Sequence, residues 1–181
     1  KGQLAEAEPF VRQALEMSRR ILGDQHADTV TCISNLGYVL YQQNKLTETE
    51  PLFRETLDKY RNSLGVDHPS TLTAIHNLAY LLQTLGNFKE AEQLYREALE
   101  RRGRVLSKEH PLTLATLNKF GSLLVQTRRH REAVAVLSSA EPSARRVFTG
   151  GYAHLVASFL HSLGKAYAGL ERPEFLLAET N

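Results

Sequence analysis

A chain of 181 residues with 42% hydrophobic and 23% charged side chains carries enough apolar material for a packed core, which argues against intrinsic disorder. No apolar run approaches the roughly 20 residues of a membrane-crossing helix, and no stretch joins a charged start to an apolar middle as a secretory signal does. A cytoplasmic protein without a membrane partner is therefore expected. The single cysteine, Cys32, excludes an internal disulfide or a cysteine-based metal site, and the net charge of +2 does not by itself imply nucleic acid.

Lys1 is the first residue and Met17 the only methionine, so a piece of a longer protein is expected. Internal recurrence organises the rest. His26, His68 and His110 are spaced by 42 residues, as are Thr29, Thr71 and Thr113; Leu22, Leu64 and Leu106; Leu40, Leu82 and Leu124; and Glu6, Glu48, Glu90 and Glu132. The expected organisation is one repeat domain over 1–181, in which 2–23 form the second helix of a partial unit. Units 24–65, 66–107 and 108–149 follow, and 150–181 form a degenerate, truncated fourth.

Each unit carries two helical patterns. In the first, Ile33, Leu36, Gly37 and Leu40 fall at i, i+3, i+4 and i+7, and Leu72, Ile75, Leu78, Ala79 and Leu82 repeat them. Pro69 suits a first helical turn, and Gly86 suits the left-handed position just past the last one. In the second pattern, Leu52, Phe53, Thr56 and Leu57 answer Leu94, Tyr95, Ala98 and Leu99. Thr47-Glu48-Thr49-Glu50 has the spacing of a capping box, and Gly65 ends the pattern. Small residues recur where the helices should cross, at Gly37, Ala79 and Gly121 and at Thr49, Ala91 and Ala133, while Phe53, Phe88 and Tyr95 should fill the spaces between layers.

Toward the C-terminus the pattern weakens. Pro142 falls deep in a second-type helix, so a kink or break is expected near Ser139 to Ser143. One residue is inserted around Gly150-Gly151, a further first-type helix should run from about Tyr152 to Ala168, and its partner should begin after Pro173. The expected fold is all-α, a right-handed superhelical solenoid of antiparallel helix pairs whose stability comes from stacking. Exposed end helices, through Phe10, Val11 or the C-terminal helix, should self-associate.

A second, polar stripe runs along each first-type helix, separate from the apolar one. It comprises Thr31, Ser34, Asn35, Tyr38 and Gln42; then Thr73, His76, Asn77, Tyr80 and Thr84; then Asn118, Lys119, Ser122 and Gln126. It is either a ligand-contacting face or a merely solvated one.

Through Leu36-Gly37 with Tyr41, Leu78-Ala79, Gly86, Ala91, Tyr95 and Ala98, the chain resembles the tetratricopeptide-repeat family. The 42-residue period and its Leu-Gly-x-x-His-Pro-x-Thr-Leu junction resemble the longer variety found in kinesin light chains and in bacterial multidomain signalling proteins. Arg128 and Ser107 depart from it by replacing glycines, and Lys119 by replacing asparagine. The resemblance implies that the first helices line a concave groove and that the polar stripe touches a ligand peptide. Amides suit that role because one side chain can both donate and accept.

Other chemistry is disfavoured. The three in-register histidines are separated by two helix layers each, roughly 15 to 20 Å on 8 to 10 Å per layer, too far for one zinc ion; they should cap helices. Asp67-His68-Pro69-Ser70-Thr71 holds the letters of a hydrolase triad, but capping explains them. Cys32 has no neighbouring cation and should be a small packed residue. No enzyme activity, metal or cofactor is expected.

Charge is uneven: residues 1–95 hold 9 basic and 12 acidic side chains, 96–146 hold 11 and 5, and 147–181 hold 2 and 3. The middle block either faces an acidic partner or forms a solvated basic surface. RNA binding is disfavoured because Arg101, Arg102, Arg104, Arg128, Arg129 and Arg131 should cluster at helix ends. The expected function is a protein-interaction scaffold holding an extended peptide or partner segment. An intramolecular docking role beside another domain is the alternative.

Overall fold

The computed structural model describes residues 2–150 and 153–170. Each amphipathic pattern folds as a helix: α1 (Gly2–Leu22), α2 (Ala27–Gln42), α3 (Leu46–Leu64), α4 (Pro69–Thr84), α5 (Phe88–Val105), α6 (Pro111–Gln126), α7 (His130–Val147) and α8 (Ala153–Leu170). No strand occurs among the described residues. Two compact units meet inside α5, the first ending at Leu94 and the second beginning at Tyr95.

In the first unit α1 packs on α2, α2 on α3 and α3 on α4. Leu15, Ile33, Leu36 and Leu40 form a buried cluster, with Val11, Cys32 and Leu52 against it. Cys32 is half-buried with its Sγ 3.6 Å from Ser18 Oγ, the packed position expected of it. Gly37 is small for a direct reason: a Cβ there would lie 2.7 Å from Phe53 Cε1, well inside contact distance. In the second unit α6, α7 and α8 pack mutually around Leu114, Leu137, Ala140, Ala144, Phe148 and Phe159. Gly121 plays the part of Gly37, since a Cβ there would stand 2.5 Å from Leu137 Cδ2.

The junctions between helices are built alike. His26, His68 and His110 are N-caps in extended backbone, and each Nδ1 accepts from the N–H two residues on, at Asp28, Ser70 and Leu112, at 3.2 Å. Thr29, Thr71 and Thr113 are buried and donate to the carbonyls of Gly23, Gly65 and Ser107 at 2.7 to 2.8 Å, tying each helix start to the end of the preceding helix. Gly86 has the expected positive φ of 83°, and Asn44 and Arg128 hold the same turn position at 63° and 60°. Ser107 stands at 108° where Gly23 and Gly65 stand at 83° and 88°.

Three expectations are corrected. The capping box does not form: α3 begins at Leu46 with Lys45 as a cap that makes no side-chain bond, because the left-handed Asn44 turns the chain two residues earlier. Glu50, the carboxylate that would close such a box, accepts from Arg54 instead. Phe88 does not fill a space between layers but is exposed at the start of α5. Pro142 does not break α7, which is assigned as helix through Val147. Pro142 and Ser138, whose carbonyl loses its i+4 donor, both face solvent, where water replaces the missing bond. The fourth first-type helix forms as α8, and Gly150 has a positive φ of 56°. Gly151, Tyr152 and the partner helix after Pro173 lie outside the described residues.

An ion pair recurs with the repeat. Arg12 reaches Glu48 at 3.0 Å and Arg54 reaches Glu90 at 2.5 Å in the first unit, and Arg96 reaches Glu132 at 2.8 Å in the second. Arg54 also holds Glu50, and its two carboxylate partners raise its pKa. Phe10, Met17 and Ile21 leave an exposed apolar stripe on α1, while Val11 turns into the core.

Candidate functional site

The polar stripe of the first unit stands mostly open. Asn35, Tyr38 and Gln42 on α2 are exposed and Ser34 is half-buried; on α4 Thr73 and Thr84 are exposed, and His76, Asn77 and Tyr80 are half-buried. Three of its threonines bond their own helix: Thr31 donates to Ala27 O, Thr73 to Pro69 O and Thr84 to Tyr80 O, each within 3.0 Å. Their hydroxyl oxygens still have lone pairs to offer a ligand.

The two helices meet through their side chains at two places. Tyr41 and Tyr80 pack with ring centroids 5.8 Å apart. Burial, and then the hydrogen bond to Tyr80, push the Tyr41 phenol up to about 12, so it stays a neutral donor throughout the ordinary pH range. Nearer the start of α4, Ser34, Asn77 and Thr73 line a recess of about 260 Å³ together with Tyr60, Pro69, Ser70 and Ala74. Among the described residues the side chains of Ser34, Tyr60, Ser70 and Asn77 form no hydrogen bond, so four polar groups converge on that recess with their capacity unused. Tyr60 was not singled out by the sequence; it belongs to α3, on the second-type helix.

The second unit differs. Asn118 does not stand on an open face: it is buried and donates to Ser158 Oγ of α8 at 3.1 Å. The 42-residue register explains this, because Asn118 aligns with Ser34 and His76, whereas the position of Asn35 and Asn77 falls to Lys119. Lys119 and Ser122 are half-buried and Gln126 is exposed. Arg102, at the register of Tyr60, is buried against α6, where it donates to Leu112 O at 2.8 Å and Thr116 Oγ1 at 2.5 Å. Burial pulls its pKa down to about 10, which leaves it charged near neutrality.

The basic block is largely matched within itself. Arg101 pairs with Glu97, Arg129 with Glu132, Arg145 with Glu141 and Arg146 with Glu109. The triad letters are also accounted for, since His68 Nδ1 is engaged as the cap of α4. Among the described residues no group of three or more His, Cys, Asp or Glu is placed to hold a metal ion, and no helix is long and apolar enough to cross a membrane.

The family model described as Tetratricopeptide repeat matches residues 1–62, 32–103 and 75–146. The chain belongs to the tetratricopeptide-repeat family. Among solved structures, the kinesin-light-chain TPR-like repeats of Podosopora anserina align at TM-score 0.80 with 23% identity, over 97% of this chain and 83% of that one. A Q17M form of that protein aligns at 0.81 with 21% identity, over 97% and 83%. BtubC (BKLC) from P. vanneervenii aligns at 0.82 with 21% identity, over 98% and 70%. No curated protein matches the chain. The fold is an all-α tetratricopeptide-like solenoid, an architecture that generally serves protein interaction and is typically non-catalytic.

Proposed function

We propose that the chain is a non-catalytic scaffold that holds an extended partner peptide on the polar face of α2 and α4. One observation carries this reading: Ser34, Tyr60, Ser70 and Asn77 converge on one recess without internal partners, beside the exposed Asn35 and Tyr38. Polar groups brought together and left unsatisfied gain from a ligand main chain, whose N–H and C=O groups an amide can meet in pairs. The local matching of the arginines in 96–146 favours this neutral face over an acidic-partner or RNA surface.

The test is selection of peptides on the whole chain, followed by affinity measurements on variants. Asn77→Ala should lose roughly 0.5 to 1.5 kcal/mol of binding, the net worth of one hydrogen bond, while the melting temperature stays within a degree or two. Tyr38→Ala should weaken binding further. Selected peptides that bind an Asn35→Ala, Tyr38→Ala, Asn77→Ala triple variant as tightly as the parent would reject this face.

A further inference from the structure

The recess of the first unit has a counterpart 42 residues on, and there the protein itself supplies the occupant. Tyr60, Ser70 and Ala74 of the recess correspond to Arg102, Leu112 and Thr116. In the second unit the Arg102 guanidinium reaches the first turn of α6 and donates to Leu112 O and Thr116 Oγ1. In the first unit Tyr60 takes the place of that arginine, Ala74 takes the place of Thr116, and a space of about 260 Å³ remains.

We propose that the recess bounded by Ser34, Tyr60, Ser70, Thr73 and Asn77 takes the guanidinium of an arginine side chain from a partner. This deepens the peptide-scaffold reading and rests on it. The lining fits a planar, five-donor cation. Asn77 Oδ1 and the hydroxyls of Ser34, Ser70, Thr73 and Tyr60 are all able to accept, no lysine or arginine is among the residues that line the space, and the Tyr60 ring offers a surface on which a guanidinium plane stacks. Long-range charge acts in the same sense, because residues 1–94 carry 9 basic and 12 acidic side chains. A lysine ammonium, a compact point charge, would reach fewer of these acceptors at once.

The experiment is a titration of the isotope-labelled chain with N-acetyl-arginine amide, followed through backbone amide shifts and the Asn77 side-chain amide. Saturable shifts at Ser34, Tyr60, Thr73 and Asn77 are expected. N-acetyl-citrulline amide, which keeps the shape without the charge, should bind at least tenfold more weakly, and N-acetyl-glutamate amide should shift none of these signals. Asn77→Ala should weaken the arginine probe several-fold, and Tyr60→Arg, which supplies the residue found at position 102, should abolish its binding while the remaining spectrum stays folded. Absence of saturation, equal binding of citrulline, preference for glutamate, or full binding to Tyr60→Arg would each overturn the assignment. The parent reading is tested separately. Selected peptides that need α2 and α4 but tolerate citrulline at every arginine would refute the arginine pocket and leave the scaffold standing. A saturable arginine site on a chain that selects no peptide would uphold the pocket and refute the scaffold.

Discussion

The two units share one repeat and dispose of their polar groups in opposite ways. In the first, Asn35, Tyr38 and the lining of the Tyr60 recess remain open to a ligand. In the second, Asn118 is bonded to Ser158, Arg102 is buried against α6, and Arg129, Arg145 and Arg146 pair with Glu132, Glu141 and Glu109. The same contrast appears in the turns. The first unit uses Gly23, Gly65 and Gly86 for three of its positive-φ positions, while the second has Ser107 and Arg128 at the corresponding places. One repeat pattern therefore supports two surfaces of different character, and the difference lies in whether a neighbouring helix of the same unit takes up the polar position, as α8 does for Asn118 and α6 for Arg102.

The shared core is where the contrast should vanish. Leu82→Ala and Leu124→Ala remove side chains that are both almost fully buried, and each should cost about 2 to 5 kcal/mol in urea unfolding. A cost below about 1 kcal/mol at either position would show that the two cores are not equivalent. Arg102→Ala should cost about 1 to 3 kcal/mol, the range for leaving a buried polar partner unsatisfied. Tyr60→Ala, with no hydrogen bond to lose, should cost less, and the gap between the two measures how far the second unit depends on its internal arginine. Arg128→Gly should stabilise by about 1 kcal/mol by relieving a side chain in the left-handed region, raising the melting temperature by about 2 to 4 °C for a chain of this size.

Acid should act mainly on the first unit, by the smallest effect. Lys45 and Arg12 hold the Glu8 carboxyl down at about 2, Lys59 lowers Asp24, and Arg54 lowers Glu90. For a carboxylate whose pKa is depressed by folding, the stabilisation is present above the unfolded value and is lost as pH falls through the folded one. For Glu8 that window runs from its ordinary value of 4.5 down to about 2. Hydrogen exchange near pH 3 should open amides of α1–α3 before those of α6–α8, and Glu8→Gln should flatten part of the pH dependence. The effect should shrink in high salt, since these side chains are partly exposed.

Much of the fold was legible because the 42-residue recurrence fixes structure and not only composition. Each recurring histidine is a cap, each recurring threonine a donor to the preceding helix end, and Gly37 and Gly121 mark close approaches. What escaped was decided by neighbours rather than by the segment itself. Arg102 reads as a surface residue until α6 closes over it. Asn118 carries the expected amide one register position from where Asn35 and Asn77 would put it, and the facing Ser158 draws it inward. The Tyr60 recess draws on α2, α3 and α4 together, and no single helical pattern reveals it. A break at Pro142 is avoided because proline inside a helix costs most where the carbonyl it frees is buried, and Ser138, whose carbonyl loses its donor, is exposed.

The Arg-to-Glu pairs at Arg12, Arg54 and Arg96 have a consequence for how such a chain can change length. Each partner lies 36 residues further on, and the cap, the buried threonine and the small residue at Gly37, Ala79 and Gly121 recur at the same 42-residue step. A tandem duplication of a 42-residue stretch within residues 6–132 rejoins these contacts in register. A repeat can thus be gained without mismatching the helices on either side, whereas one residue gained inside a helix would shift every later contact off the 42-residue step.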